Sequence, residues 1–397
     1  MHIAFVSGPA HGHVNPALSV VEELVERGHR VTFATGAPLV GAVSESGATP
    51  VEIPATLPPV LRTSNEMTAD DVAGILEHSL EEMPGVLGTL EEHFAADVPD
   101  AVCFEIMTNE GQMLAYRLDV PAVSWIPTFA GNEHFSLFSR IVSADFDHTS
   151  PRLLSAVERT AEMASSNGVP QERDPIAAPP CGLNLSLLPR EFQIAGETFD
   201  DRVRFVGPSP RRNGAERDWT PPDRDAAVLL VSLGTVANRR PDLFRSCVRV
   251  FAGGPWHVVV ATGDLPADEI GEVPDNVELH EFVPQLSVLR YASAFISHAG
   301  MNSVMEAMLH RVPVLAVPQT PEQRTNAARV EELGLGRVVC EELDPPTLRR
   351  LVDEVVGDEV ISRNLEWMRE AITRSGGCSA AADAVEGYLS QEGERGE

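Results

Sequence analysis

The sequence predicts an α/β protein built from two parallel-sheet units, and three observations carry that reading. Short apolar runs of buried-strand length alternate with longer segments of helical periodicity, and this alternation occurs in each half of the chain. A stretch poor in apolar residues separates the halves. The length of 397 residues exceeds one typical core and suits two domains of roughly 200 residues. With 43% hydrophobic and 22% charged residues, the chain has the material to bury such cores.

Taken in order, "HIAFVS" reads as a buried strand. "NPALSVVEELVERGH" reads as a helix with Asn15 as N-cap, Pro16 at its first position and Gly28 as its stop, and "RVTFAT" as the next strand. That is a β-α-β unit, hence a parallel sheet. Thr56 to Glu92 and Phe135 to Pro180 are less regular, with helical hints and many breakers. They are where acceptor-side variation is expected. The second half repeats the grammar: "AVLLVSLGT" is strand and turn, "PDLFRSCVRVFAG" helix, "WHVVVAT" strand, then "SAFISHAG", a helix from Asn302, and "VPVLAVP". Between the halves, "PSPRRNGAERDWTPPDRD" reads as a linker. The expected organisation is an N-terminal Rossmann-like domain over 1–207, a linker over 208–225 and a C-terminal Rossmann-like domain over 226–378, the two facing across a cleft. A helix and tail over 379–397 would return towards the first domain, with "SQEGERGE" frayed.

Composition excludes several classes. Acidic residues outnumber basic ones 59 to 30, for a formal charge of −29, a field that repels nucleic acid and anionic membrane. Every basic residue is arginine, which removes lysine-based phosphate loops and Schiff-base chemistry. The five cysteines stand singly, without a C-x-x-C pair, as in a reducing, cytoplasmic setting. "MHIAFVSG" carries no basic leader, and no apolar run approaches the ~18 residues of a membrane helix.

The densest chemistry lies in "ISHAGMNSVMEA", Ile296 to Ala307, where a strand breaks at a histidine and resumes as a helix. In doubly wound sheets, ligands bind beyond the carboxyl ends of strands, at helix N-termini whose free N–H groups and dipole attract phosphate. Gly300 allows close approach of the backbone, Asn302 and Ser303 can cap the helix or donate to phosphate oxygens, and His298 adds a donor able to become cationic in place of the missing lysine. Glu306, one turn on, suits a ribose diol. Together these point to a nucleoside diphosphate.

Glu281 to Gln323, "EFVPQLSVLRYASAFISHAGMNSVMEAMLHRVPVLAVPQTPEQ", resembles the donor-binding signature of UDP-sugar-dependent glycosyltransferases of the GT-B fold. "AHGHVNPALSVVEELVERGHRVTFAT" resembles the N-terminal half of bacterial macrolide and natural-product glycosyltransferases, near the promiscuous Bacillus-type UDP-glucosyltransferases, and "NEHFSLF", "GETFDDRVRFVGPS" and "LLVSLGT" continue the likeness. The resemblance implies a site residue by residue. His298 goes to the diphosphate, Gly300, Asn302 and Ser303 to phosphate oxygens, and Glu306 to the ribose. Phe282 stands where many members stack a tryptophan on the base, with the backbone of Val283 and the amide of Gln285 completing that pocket. Ser232 and Thr235 reach the phosphate next to the sugar, and Glu322 with Gln323 hold sugar hydroxyls, where Asp is commoner than Glu.

Catalysis by such an enzyme needs a base for the acceptor hydroxyl, and imidazole has the right pKa. His13 in "AHGHVNP" resembles the family's base, with His11 as second candidate. A carboxylate should fix its tautomer. Where the family has Asp, "PDAVCFEIMTNEGQ" supplies Glu105. "DFD" at Asp145 to Asp147 and "DRD" at Asp223 to Asp225 are spelled like a metal-binding pair but do not follow a strand of a nucleotide unit. No metal and no cofactor are expected, the helix N-terminus and His298 serving the leaving diphosphate. The expected partners are a nucleotide-sugar donor and a small hydrophobic hydroxylated acceptor, for a monomer or homodimer without nucleic acid or stable membrane anchoring.

The activity expected is inverting transfer of glucose from UDP-glucose to a hydroxyl of a flavonoid, macrolide or similar aglycone. A dTDP-deoxysugar donor is the alternative, followed by a sugar-nucleotide epimerase or a non-catalytic helper. A nicotinamide oxidoreductase would need G-x-G-x-x-G after the first strand, which "SGPAHGHVNP" does not supply.

Overall fold

A computed structural model describes residues 1–59, 66–170, 181–211, 219–223, 225–234, 239–339 and 344–396, with side chains to 393. The chain forms two compact units, Met1–Gly214 with Ile372–Glu397, and Ala215–Ala371. The second unit therefore ends earlier than position 378, and most of the expected linker, 212–218 and 224, lies outside the described residues.

In the first unit, β1 (His2–Val6), β2 (Arg30–Thr35), β3 (Thr49–Glu52), β4 (Ala101–Glu105), β5 (Ala122–Ile126), β6 (Leu183–Ser186) and β7 (Val203–Phe205) form one sheet in the order β3-β2-β1-β4-β5-β6-β7. All pairings are parallel. β1 and β4 are buried throughout, as strands covered on both faces must be. The helix after β1 runs from His11 to Glu26, with Ala10 as N-cap. It thus begins a turn earlier than an Asn15 cap predicts, and Pro16 lies inside it, where it withholds one backbone donor. Its stop is as expected: Gly28 takes φ 86° and its N–H bonds the Val25 carbonyl.

Two segments are more regular than their breakers suggested. Ala69–Phe94 is a single helix of 26 residues despite Pro84. A capping box between Thr68 and Asp71 starts it, and burial of Met83, Leu87 and Leu90 carries it past the proline. A second helix, Pro151–Ser166, is capped by the Ser150 hydroxyl; residues 171–180 are not described. The final helix, Gly377–Gly396, runs through the tail expected to fray. Ala381, Ala382, Val385 and Leu389 enter the same core as Ile3, Leu18 and Val21, and that burial holds the helix where propensity alone would not.

The second unit holds β8 (Ala227–Ser232), β9 (Trp256–Ala261), β10 (Val277–His280), β11 (Ala292–Ser297), β12 (Val314–Ala316) and β13 (Gly336–Val338), ordered β10-β9-β8-β11-β12-β13. It too is parallel throughout. Each sheet therefore reverses its winding once, between β1 and β4 in the first and between β8 and β11 in the second. Ligand crevices form beyond strand ends at such points. Among the described residues, no helix is long and apolar enough to cross a membrane.

Candidate active site

The chemistry of the first unit gathers at its switch point. β1 leads into the helix carrying His13, now placed in that helix's first turn, and Glu105 is the last residue of β4 beside it. His13 Nδ1 lies 3.3 Å from Glu105 Oε1; the imidazole is about one-third exposed and the carboxylate almost wholly buried. Oε1 has no aligned hydrogen bond among the described residues although the imidazole is within reach, so a small ring rotation would close the pair. Oε2 is fixed by the N–H of Met107 at 3.0 Å and the Thr108 hydroxyl at 3.4 Å. Thr108 also receives the N–H of Gly8, tying the loop after β1 to the carboxylate. The Trp125 indole donates to the His13 carbonyl at 3.2 Å. Neither Thr108 nor Trp125 stands out in the sequence; a threonine three residues after the strand-end acid was the available sign.

With Nδ1 turned towards a carboxylate, Nε2 is the nitrogen left to take a proton, and the carboxylate stabilises the imidazolium formed. His11 has no ion pair with a carboxylate among the described residues, and burial lowers its pKa. The geometry therefore distinguishes the two imidazoles.

At the second switch point, Ser297 of β11 lies in register with Ser232 of β8. The Ser232 carbonyl accepts from His298 N–H at 3.4 Å and its hydroxyl from Gly234 N–H at 3.4 Å; Thr235 lies outside the described residues. The His298 ring sits between two glycines. A Cβ on Gly234 would meet Nε2 at 2.6 Å, and one on Gly300 would meet it at 2.3 Å. What Gly300 admits is thus the imidazole itself as well as any ligand. Desolvation around the ring, whose Nδ1 is buried, pulls the His298 pKa down to about 4, which favours the uncharged donor or acceptor over the cationic form that the sequence allowed.

The helix Met301–Leu309 starts from Gly300 as N-cap with no side chain capping it. Asn302 and Ser303 therefore stand in its first turn and are not its N-cap, at the end of a helix where backbone N–H groups and the dipole favour an anion. Gln285 Nε2 donates to Glu306 Oε2 at 2.6 Å and to the Ser303 hydroxyl at 3.1 Å, so these three predicted residues meet. Phe282 is 66% exposed, an open platform, with Val283 beside it half-buried. Glu322 and Gln323 stand in the first turn of the helix Pro321–Glu332. Gln323 also serves the helix itself, since its Oε1 accepts from the N–H of Gln319 at 2.8 Å and of Thr320 at 3.2 Å, half of a capping box. Its amide NH₂ remains the chemically suitable end for a sugar hydroxyl.

The acidic pairs spelled like metal sites have other settings. Asp147 accepts from the N–H and hydroxyl of Thr149, Asp223 accepts from Asp225 N–H, and no cluster of metal-ligating side chains occurs among the described residues.

Residues 255–378 match the family model described as "Erythromycin biosynthesis protein CIII-like, C-terminal domain". The NDP-glycosyltransferase YjiC of Bacillus licheniformis is 37% identical over 99% of this chain and 98% of its own. The chain belongs to the bacterial natural-product glycosyltransferases of the GT-B fold. Within that family, the demethyllactenocin mycarosyltransferase of Streptomyces fradiae is likewise 37% identical, over 98% of this chain and 87% of its own. The solved calicheamicin glycosyltransferase CalG4 superposes with a TM-score of 0.83 at 34% identity, covering 98% of both chains. The kitacinnamycin glycosyltransferase gives 0.85 at 32%, over 98% of this chain and 99% of that one. As a natural-product glycosyltransferase, the protein uses nucleoside-diphosphate sugars.

Proposed function

We propose that the protein is an inverting, metal-independent hexosyltransferase that moves glucose from UDP-glucose onto a hydroxyl of a polyphenol, macrolide or similar aglycone. The observation that carries the reading is the approach of His13 Nδ1 to the buried Glu105 carboxylate at 3.3 Å, which suits an imidazole that gains a proton during the reaction. The acceptor O–H gives its proton to His13 Nε2 as its oxygen bonds to the anomeric carbon, and the bond from that carbon to the diphosphate oxygen breaks with its electron pair leaving on the diphosphate. An α-linked donor then yields a β-glycoside. The N-terminus of the helix Met301–Leu309 and the His298 ring would supply donors for the departing charge. Phe282 would stack on the base, Glu306 would take the ribose, and Glu322 with Gln323 the sugar.

A second reading keeps the chemistry and changes the donor to a dTDP-deoxysugar. It is favoured by an identity to the mycarosyltransferase equal to that with YjiC, and by Glu322 standing where Asp is commoner. A screen of UDP-glucose and dTDP-deoxysugars against mixed flavonoid and macrolide acceptors, read by product mass and anomeric coupling, tests both. A UDP-glucose-dependent gain of one hexose with β configuration is expected. Product only from dTDP donors would replace the first reading by the second, and donor consumption at equal rate without acceptor would remove both.

A further inference from the structure

Asn326 belongs to the helix Pro321–Glu332 and is completely buried. Its Nδ2 donates to the carbonyl of Ala299 at 3.0 Å, across 27 residues of sequence. Ala299, also completely buried, has φ 60°, a left-handed conformation that a Cβ disfavours. On its other side, the Ala299 N–H donates to the Ser297 hydroxyl at 3.1 Å. The residue is therefore clamped at both its amide and its carbonyl. Asn326 Oδ1 is buried with no hydrogen bond among the described residues. An amide using one end and leaving the other unmet is a costly occupant of a core, so packing alone does not account for it; its donor does.

The clamped residue joins the two donor groups of the junction. His298 precedes Ala299, and Gly300, the N-cap of the helix Met301–Leu309, follows it. Relaxing Ala299 out of the left-handed region would swing the imidazole away from Gly234 and re-aim the first-turn amides together. We propose that Asn326 is a positioning residue of the donor site, which holds Ala299 left-handed and so aims His298 and the helix amides at the donor's diphosphate. This rests on the reading of the junction as the diphosphate site.

The experiment is calorimetric titration with whichever of UDP and dTDP the wild type binds more tightly, and with the matching nucleoside. If the junction holds the diphosphate, the wild type prefers the diphosphate to the nucleoside; equal affinities would overturn the diphosphate reading and the positioning role with it. Given that preference, Asn326→Ala should lose about tenfold in diphosphate affinity with less than twofold change for the nucleoside. Asn326→Leu keeps a similar volume, carries no donor at any pH and should behave alike, so the test survives if one variant folds poorly. Adding Ala299→Gly to either should recover most of the loss, because glycine adopts φ near 60° unaided. Unchanged diphosphate affinity in both Asn326 variants, equal losses for nucleoside and diphosphate, or no recovery with Ala299→Gly would each overturn the proposal.

Discussion

The imidazole of His13 and the carboxylate of Glu105 come from the first turn of a helix and the last residue of β4, and each should fail in its own way. His13→Ala should reduce turnover by ~10²–10⁴ with donor affinity unchanged, while His11→Ala keeps most activity; the reverse order would move the base to His11. Glu105→Gln should cost ~10-fold or more in kcat, less than the loss of His13, and Glu105→Asp should be tolerated. Two other groups, the half-buried His298 and the buried Glu110, contribute to the dependence of stability on pH. His298 is held at about 4 against 6.5 unfolded, so the unfolded chain binds its proton first on acidification. Its own contribution is full above pH 6.5 and falls by on the order of 3 kcal/mol as pH drops to 4. Glu110, buried and raised to about 7 from 4.5, has the opposite sign: its contribution is full below pH 4.5 and falls by a similar order as pH rises through 7. Denaturant midpoints should therefore show Glu110→Gln gaining stability at pH 8 but not at pH 4, whereas His298→Gln flattens the acid limb. Parallel curves for wild type and both variants would contradict these assignments. His13 and Glu105 were singled out by the family resemblance and His298 by its strand-to-helix junction, and the fold brings the first two within 3.3 Å of each other. The setting of the His298 ring was not legible in the sequence, since the room for it depends on Gly234, 64 positions away in the chain, having no side chain.

Helices and turns were legible in part. Gly28 ended its helix as its position suggested, but the helix began at His11 and not after Asn15, its added turn burying only Val14. The cap at Thr320 shows an element and a site sharing one side chain. Gln323 completes the capping box through Oε1, and its NH₂ is proposed for the sugar. Gln323→Glu keeps an acceptor for the cap and loses the donor. It should leave the unfolding midpoint nearly unchanged while raising the KM for the donor severalfold. Thr320→Ala should instead cost about 1 kcal/mol of stability. If Gln323→Glu destabilised as much as Thr320→Ala and left the KM alone, Gln323 would be a capping residue and nothing more.

For the molecule as a whole, the chain completes its first unit with its last helix. Besides the core contacts of Ala381, Ala382, Val385 and Leu389, Arg27 Nη1 pairs with Asp383 at 2.6 Å and Glu386 at 2.9 Å, with His29 also on Glu386 at 2.8 Å. Removal of residues 377–397 should expose the Leu18 and Val21 face and unfold the first unit. Calorimetry should show the transition of that unit lost or lowered by more than about 10 °C, since several buried side chains are worth roughly 1.5–3 kcal/mol each; an unaltered trace would show that the helix is dispensable. The sequence by itself determined the α/β class, the division into two sheets, the acidic charge and the residue types of both junctions, because these are local patterns of period, composition and spacing. Only the tertiary structure decided that the first helix starts before His13, that the His298 ring fits between two glycines, and that Asn326 reaches back to a left-handed Ala299. Strand order is a non-local choice: it brought β4 beside β1 and β11 beside β8, and so placed Glu105 at His13 and Ser232 at His298, which no spacing along the chain encodes.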